Sequence, residues 1–488
     1  MPAKVLFFGF DGLDHLRLDA LIDEGVLPNF EKLRNRSHEA ALGVYPGFGA
    51  GAFWASAATG VTPAHHGRYF FLQFNPKTYD SNPFHESYTY RKRAFWEDLD
   101  REGKKIAMID WHRAPFSIVE NGMVVDNWLG HDSPSGLKTS PSSLAKDILA
   151  EYGHDPIAGG YGSRKFENSD DHRAFAQGAV KRIEYKEKFC VDQLNAHDWD
   201  VFIPCFTELH DIGHYYMHLA DPDHALFDPE LRETIGDPIR DCYLALDKVI
   251  ASISEAAGED AAIMMLAGPG MEPLVSANAA IEDIALKLDL GFSPPVTTGR
   301  AARQTYRSFI PDRWRRKLSP IARRARQIFA DSDYKRRRFF GVPHNDNAGC
   351  IRVNLKGREK YGVVSPGAEY DAVLEEIKDG LLSLKDAHTG APAVDNVVFT
   401  RDQLDGPYLD DLPDVFAEWN RTNNKRNFKT LTSERTGDIH VPPHLRTGDH
   451  TRRGLFWSTQ SDPFFTGNGL KMPHEVVALI GAALAKER

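Results

Sequence analysis

Two histidines four residues apart, His210 and His214, are the residues of this chain whose types and spacing most directly suggest chemistry. A third histidine, His450, lies near the C-terminus in the glycine turn Gly448-Asp449-His450. Imidazole nitrogens bind zinc, manganese and iron, and three of them with one open position form a catalytic type of zinc site. If the fold brings the three histidines together, the sequence predicts one bound transition metal. Zinc is the first choice, with iron or manganese as alternatives.

Three carboxylates lie where they could complete such a site. Asp11 follows the apolar segment from Val5 to Phe10, and Glu208 and Asp211 lie on either side of the first histidine of the pair. The candidate metal ligands are therefore His210, His214, His450, Glu208, Asp211 and Asp11. Glu208 and Asp11 are also the candidate catalytic groups. Each cluster taken alone has a structural explanation, since a strand-end aspartate can form a turn and histidines at i and i+4 can share a solvated helix face.

The composition is that of an acidic globular protein. The chain has 488 residues, a net charge of −10 and a pI near 6.1, which argues against general affinity for nucleic acid. Four scattered cysteines, no signal-peptide pattern and no apolar run of roughly 20 residues predict a cytoplasmic protein with reduced thiols and no membrane contact. We expect a small-molecule substrate, and a homo-oligomer is left open.

Apolar strands alternate with helical segments along the first part of the chain, and polar residues follow several of the strands. This pattern predicts an α/β fold with a mostly parallel sheet and a site at the carboxyl edge of that sheet. We divide the chain into a core (residues 1–290), a basic helical insertion (291–345), a cap or core-completing segment (346–430) and a C-terminal core segment that carries His450 (431–488). The basic insertion could be an arm that binds phosphate, nucleic acid or a partner, or a solvated segment that covers part of the core or forms a subunit contact. The acidic total charge of the chain favours the second interpretation.

Several short motifs, in order, resemble one known family. Gly9-Phe10-Asp11-Gly12, the segment from Phe53 to Gly60, the turn from Pro63 to Gly67, and Gly448-Asp449-His450 are similar to motifs of the alkaline phosphatase superfamily, in its type I phosphodiesterase/nucleotide pyrophosphatase branch. The resemblance implies a doubly wound, mostly parallel sheet with a smaller cap subdomain. It also implies hydrolysis of phosphorus or sulfur esters at a site for two metals.

The chain departs from the family pattern at three places. The position of the family's Thr or Ser nucleophile reads Gly49 or Ala50, neither of which can attack phosphorus or sulfur. Gly268-Pro269 stands where the family has ligands of the second metal, and His210 stands where it has an aspartate. The resemblance therefore implies that one metal site is lost and the other is kept.

These observations leave three classes of function. The first is a metal-dependent enzyme that hydrolyses a phosphorus or sulfur ester by metal-bound water, without a covalent intermediate. The second is a repurposed single-metal enzyme with lyase or redox chemistry, for example in a specialised biosynthetic pathway. The third is a non-catalytic binding protein on the inherited scaffold. We favour the first, and we expect a restored hydroxyl, as in Gly49→Thr, to add weak esterase activity at most.

Overall fold

The structure is a computed structural model that describes residues 3–82, 91–130, 136–157, 166–291, 334–422, 426–467 and 469–486. Its strands are β1 (Ala3–Phe10), β2 (His38–Gly43), β3 (Gln73–Phe74), β4 (Ser81–Asn82), β5 (Ile106–Ile109), β6 (Gly122–Asp126), β7 (Lys138–Ser140), β8 (Trp199–Phe206), β9 (Ala262–Ala267), β10 (Met271–Pro273), β11 (Phe339–Val342), β12 (Ala348–Val353), β13 (Lys385–Asp386), β14 (Val394–Phe399), β15 (Val415–Trp419), β16 (Thr430–Thr432), β17 (Ile439–His440), β18 (Gly448–His450) and β19 (Arg453–Ser458).

The α-helices lie between these strands in chain order. They are α1 (His15–Asp23), α2 (Pro28–Asn35), α3 (Ala50–Thr59), α4 (Pro63–His66), α5 (Phe95–Arg101), α6 (Leu144–Glu151), α7 (Ser169–Ala196), α8 (Glu208–Tyr216), α9 (Pro229–Ile235), α10 (Pro238–Ala257), α11 (Ile281–Leu290), α12 (Ala368–Leu382), α13 (Thr400–Gln403) and α14 (Val477–Lys486).

An eight-stranded sheet in the order β2-β19-β9-β1-β8-β5-β6-β7 forms the centre of the larger lobe. Strands β9, β1, β8, β5 and β6 are parallel to their neighbours in that row, while β19 and β7 run antiparallel to β9 and β6. The predicted α/β fold with a mostly parallel sheet is therefore confirmed. Parallel strands end at the same edge of a sheet, so the loops after β1, β5, β8 and β9 meet there.

Helices cover both faces of this sheet, which explains why β1 is apolar from Val5 to Phe10. Val5 and Phe7 face the core cluster that contains α3, α5 and α14, whereas Leu6, Phe8 and Phe10 face the cluster that contains α7 and α10. Successive side chains of a strand point to opposite faces, so a strand buried on both sides has no polar alternation.

A smaller lobe (residues 275–291 and 334–441) is built on a four-stranded antiparallel sheet in the order β11-β12-β15-β14. Helices α11 and α12 pack on it, and its core cluster runs from Val275 to Val441. Residues 275–290 thus contribute to this core, although the sequence analysis assigned them to the larger lobe; the four segment boundaries stay predictions. Most of the predicted basic insertion, residues 292–333, lies outside the described residues.

Two further observations concern the cysteines and the helices. Cys190, Cys205, Cys242 and Cys350 are all buried free thiols. Among the residues that the structure describes, none of the helices combines the length and the hydropathy that a bilayer-spanning segment needs.

Candidate metal centre

Two strand ends and one strand pair position the candidate residues. Asp11 directly follows β1, and its N–H donates to the carbonyl of Phe206, the last residue of β8. Helix α8 begins two residues later and carries His210 and His214, while β18 places His450 opposite Met271 of β10. The site therefore lies at the carboxyl edge of the sheet, as the strand-helix alternation predicts.

The structure brings the three predicted histidines together. Among the described residues, His210, His214 and His450 form the one group of three or more possible metal-ligating side chains, with ligand atoms within 4.8 Å of one another. The ring centroids are 4.4 Å apart for His210 and His214, 4.6 Å for His210 and His450, and 5.3 Å for His214 and His450. All three side chains are buried.

The Nδ1 atoms of these rings face protein acceptors. Nδ1 of His214 donates to the Gly448 carbonyl at 2.8 Å, and Nδ1 of His450 donates to the Pro269 carbonyl at 3.1 Å. Because a carbonyl can only accept, the proton of each neutral ring is on Nδ1 and the lone pair is on Nε2. Nδ1 of His210 lies 2.9 Å from Oδ2 of Asp11. For His214 and His450 this arrangement leaves Nε2 as the coordinating atom, which is how proteins orient metal-binding histidines.

Burial favours the neutral form of His210 and His450. It lowers the pKa of His210 and of His450 well below the usual range, and the neighbouring histidines lower both values further. Burial raises the pKa of Asp11 to about 6, against the lowering effects of His450 and of the Trp54 N–H. Neutral rings are the form that binds a metal, so the electrostatics agree with the geometry.

Asp11 lies between Trp54 on one side and two histidines on the other. Its Oδ1 accepts from Nε1 of Trp54 at 2.8 Å, and its Oδ2 faces both His210 at 2.9 Å and Nε2 of His112 at 3.5 Å. The carboxylate is completely buried. Gly268 and Pro269, at which the resemblance implies that ligands of a second metal are missing, have no metal-ligating side chain, and the Pro269 carbonyl accepts from His450.

Glu208 and Asp211 lie away from the histidine group. Oε1 of Glu208 is 3.3 Å from Nζ of Lys186, and Oδ2 of Asp211 accepts from Nη1 of Arg182 at 2.9 Å. All four side chains are buried, and both cations belong to α7. Coordination by Glu208 or Asp211 stays a prediction, and in this structure each carboxylate is paired with a cation behind α8.

Sequence reasoning missed two neighbours of the site, His112 and Arg113. The ring centroid of His112 is 5.6 Å from that of His210, and Arg113 has a left-handed backbone with φ of 55°. Burial lowers the pKa of His112 and His210 most, and the positive charge of Arg113 lowers both further. The signal was available in part, because His112 and Arg113 follow strand β5 at the same sheet edge.

Gly49 and Ala50, the two residues at which the resemblance places the family's nucleophile, have no hydroxyl group. Gly49 caps α3 and Ala50 begins it. A Cβ atom built on Gly49 would overlap with the side-chain amide of Asn345, whose Cγ would be 2.9 Å away. The expectation for Gly49→Thr therefore changes, since a threonine at this position has no room unless Asn345 moves.

The fold is that of the alkaline phosphatase-like proteins. Residues 5–447 match the family described as type I phosphodiesterase/nucleotide pyrophosphatase, and the chain belongs to that family. The family resemblance of the sequence is thereby confirmed. No curated protein sequence matched the chain.

Solved structures with a similar fold include two of phosphonoacetate hydrolase from Sinorhizobium meliloti 1021, one in complex with phosphonoformate and one with phosphonoacetate. Each has 15% sequence identity and a TM-score of 0.52, and the alignment covers 99% of this chain and 96% of that protein. Human ectonucleotide pyrophosphatase/phosphodiesterase 5 aligns at 11% identity with a TM-score of 0.44, over 99% of this chain and 95% of its own.

Proposed function

We propose that this protein is a metal-dependent hydrolase that cleaves a phosphorus ester by a single displacement, without a covalent intermediate. Membership of a family of phosphodiesterases and pyrophosphatases supports the reaction class. The group formed by His210, His214 and His450 supports the metal, and the glycine and alanine at positions 49 and 50 support the single displacement.

The main support for the proposal comes from the hydrogen bonding of the His450 ring. Its Nδ1 is bound to the Pro269 carbonyl, and its buried Nε2 has no hydrogen-bond partner among the described residues. Burying a polar nitrogen without a partner costs free energy, about 1–3 kcal/mol. A metal ion held by His210, His214 and His450 would provide that partner. When bound, a metal of this kind lowers the pKa of a coordinated water and offsets negative charge on phosphoryl oxygens.

The chain's own residues contribute orientation and charge. Asp11 contacts Nδ1 of His210, the atom that must carry the proton if Nε2 is to coordinate. The positive charge of Arg113 acts on Asp11, His112 and His210 alike, so it also favours an anionic substrate beside the histidines. With no hydroxyl at positions 49 and 50, attack by a side chain at that point is closed.

The stereochemistry at phosphorus tests this reaction. We expect the zinc-loaded protein to hydrolyse a P-chiral aryl phosphorothioate diester with inversion of configuration, because one in-line displacement inverts once. The configuration of the product, from hydrolysis in ¹⁸O-labelled water followed by ³¹P NMR, gives the answer. A family member that has the hydroxyl nucleophile is the control, and should retain configuration because two inversions cancel.

The other possible results of these experiments would favour a different mechanism or function. Retention would contradict the proposal and require a nucleophile other than residue 49 or 50. A metal-loaded protein that turns over no aryl phosphate, phosphodiester, sulfate or phosphonoacetate would favour the lyase or redox alternative. A protein that binds no metal would favour the non-catalytic alternative.

The role of Asp11 gives a separate prediction. We expect Asp11→Asn to weaken zinc affinity by about 10- to 100-fold, the usual effect of losing the acceptor behind a metal-binding histidine. Competition with a chromogenic chelator at fixed pH measures the change. Asp100→Asn is the matched control, because Asp100 is also a buried aspartate of the larger lobe but accepts from the backbone of Glu120 and Asn121 instead. Equal zinc affinity of Asp11→Asn and the wild type would refute a role for Asp11 in holding the metal.

A further inference from the structure

Asn345 lies against Gly49, one of the two positions at which the family resemblance places the nucleophile. A Cβ atom on Gly49 would overlap with Nδ2 of Asn345 and lie 3.2 Å from its Cβ. Asn345 belongs to the smaller lobe, in the loop between β11 and β12. A carboxamide of one lobe is therefore placed where a side chain of the other lobe would begin.

The loop of Asn345 is fixed to the larger lobe on the side of Gly49. Nε2 of His344 and the Gly47 carbonyl are 2.7 Å apart, and His344 is buried. The Gly47 N–H donates to Oε1 of Glu418 at 3.2 Å, and the ring centroids of Phe48 and Phe416 are 4.5 Å apart. The segment before α3 is thus held by the smaller lobe, and these contacts keep the backbone of the Asn345 loop beside Gly49.

The same loop is fixed to the histidine site on its other side. Oδ2 of Asp346 lies 3.2 Å from Nε2 of His444 and 3.4 Å from Nη1 of Arg446, four residues before His450. Arg421 donates to the His450 carbonyl at 2.8 Å and to the Asn347 carbonyl at 3.4 Å. Asn345 therefore lies between the start of α3 and the strand that carries His450.

The Asn345 side chain has no hydrogen bond to any residue that the structure describes, and it is only partly buried. An asparagine that stabilises a loop uses its amide for hydrogen bonds to the backbone. This one is held in place by its neighbours, while its own donor and acceptor stay available to a ligand.

We propose that Asn345 binds the substrate: its Nδ2–H donates to a phosphoryl oxygen from the position that the family's nucleophile would fill. The inference rests on the proposed function and deepens it. A carboxamide is a hydrogen-bond donor but a poor nucleophile, so it can stabilise charge on the phosphoryl oxygens without forming a covalent intermediate. Gly49, which has no hydroxyl, and Asn345 would then depend on each other, because the amide uses the space that a side chain at position 49 would fill. Gly49 is needed because any larger residue displaces the amide.

Binding of inorganic phosphate to the zinc-loaded full-length protein tests this, by isothermal titration calorimetry. We expect Asn345→Ala to weaken phosphate binding about tenfold, the loss of one hydrogen bond to a charged group. Asn345→Asp, which has the same shape, should weaken it more, because its carboxylate repels the anion. Zinc content and the thermal midpoint should stay those of the wild type in both variants.

Gly49 and Gly51 lie in the same segment and provide a matched pair of glycine-to-alanine variants. Gly49→Ala should also weaken phosphate binding about tenfold, because the new methyl displaces the Asn345 amide. Gly51→Ala should leave it unchanged, because a Cβ atom there meets no atom within 4 Å. The double variant Gly49→Ala/Asn345→Ala should be no weaker than Asn345→Ala alone, since both changes remove one interaction.

The outcomes separate the two proposals. A zinc-loaded wild type that does not bind phosphate would refute the proposed function itself. Phosphate binding in the wild type with equal affinity in Asn345→Ala and Asn345→Asp would overturn the role of Asn345 and leave the hydrolase proposal intact. If Asn345→Ala does not fold, Asn345→Asp and the glycine pair decide the same question.

Discussion

His214→Ala is expected to lower the zinc affinity of this protein by at least about 100-fold. Four-ligand protein sites bind zinc with about 10–16 kcal/mol, so each ligand contributes roughly 3 kcal/mol, which is about two orders of magnitude in affinity. The His214 ring is held for this role, because its Nδ1 donates to the Gly448 carbonyl at 2.8 Å. The double variant His210→Ala/His214→Ala should contain no zinc after dialysis.

Elemental analysis and a chelator-competition titration at fixed pH measure both variants. His218→Ala is the matched control, because His218 lies four residues further along the chain and its Nδ1 contacts Oγ1 of Thr447 at 3.0 Å. Its zinc affinity should match that of the wild type. We expect one zinc per wild-type chain. A stoichiometry near two, or zinc retained by the double variant, would show that the site is built from other residues.

The order of short motifs was sufficient to predict the fold, and the histidine spacing was sufficient to predict the centre of the site. His210 and His214 share one side of α8 because residues four apart are neighbours on a helix. His450 could be added because it lies in a motif of the family, although only the pairing of β18 with β10 brings it to α8. These are local patterns, and a single sequence displays them directly.

The carboxylates beside the histidines were harder to place. Glu208 and Asp211 are three residues apart, so they share a face of α8 that differs from the face of His210 and His214. Their partners, Arg182 and Lys186, are four residues apart on α7 and present a matching pair of cations. Proximity in sequence suggested coordination, whereas the helical period, applied to both helices, would have suggested ion pairs.

Asn345 could not be predicted because its neighbour Gly49 lies almost 300 residues earlier in the chain. Its place depends on the docking of the smaller lobe, through His344 and Phe416, onto the segment before α3. Contacts between residues so far apart in the chain are set by tertiary packing, and no local propensity indicates them. The glycine at position 49 was visible in the sequence, but only as a missing nucleophile and not as space for another side chain.

Lys186→Met is expected to lower the free energy of unfolding by about 3–5 kcal/mol, the usual effect of removing one partner from a buried ion pair. Nζ of Lys186 lies 2.8 Å from the Cys205 carbonyl, 3.3 Å from Oε1 of Glu208 and 3.4 Å from Oδ2 of Asp110, and the side chain is fully buried. Burial lowers the pKa of this lysine, but Glu208 and Asp110 outweigh burial and raise it, so the lysine is charged. Methionine keeps the length of the side chain and leaves two carboxylates buried without their cation.

Urea unfolding followed by circular dichroism measures this change, and Lys181→Met is the matched control because Lys181 is an exposed lysine of the same helix. That variant should stay within about 0.5 kcal/mol of the wild type. The double variant Lys186→Met/Glu208→Gln should recover part of the loss, because it removes one of the two unpaired charges.

Glu208 begins the helix of His210 and His214, so Lys186→Met should also weaken zinc binding, and Glu208→Gln in that background should partly restore it. A destabilisation below about 1 kcal/mol, or no recovery in the double variant, would mean that Lys186 does not hold α8 in place through Glu208.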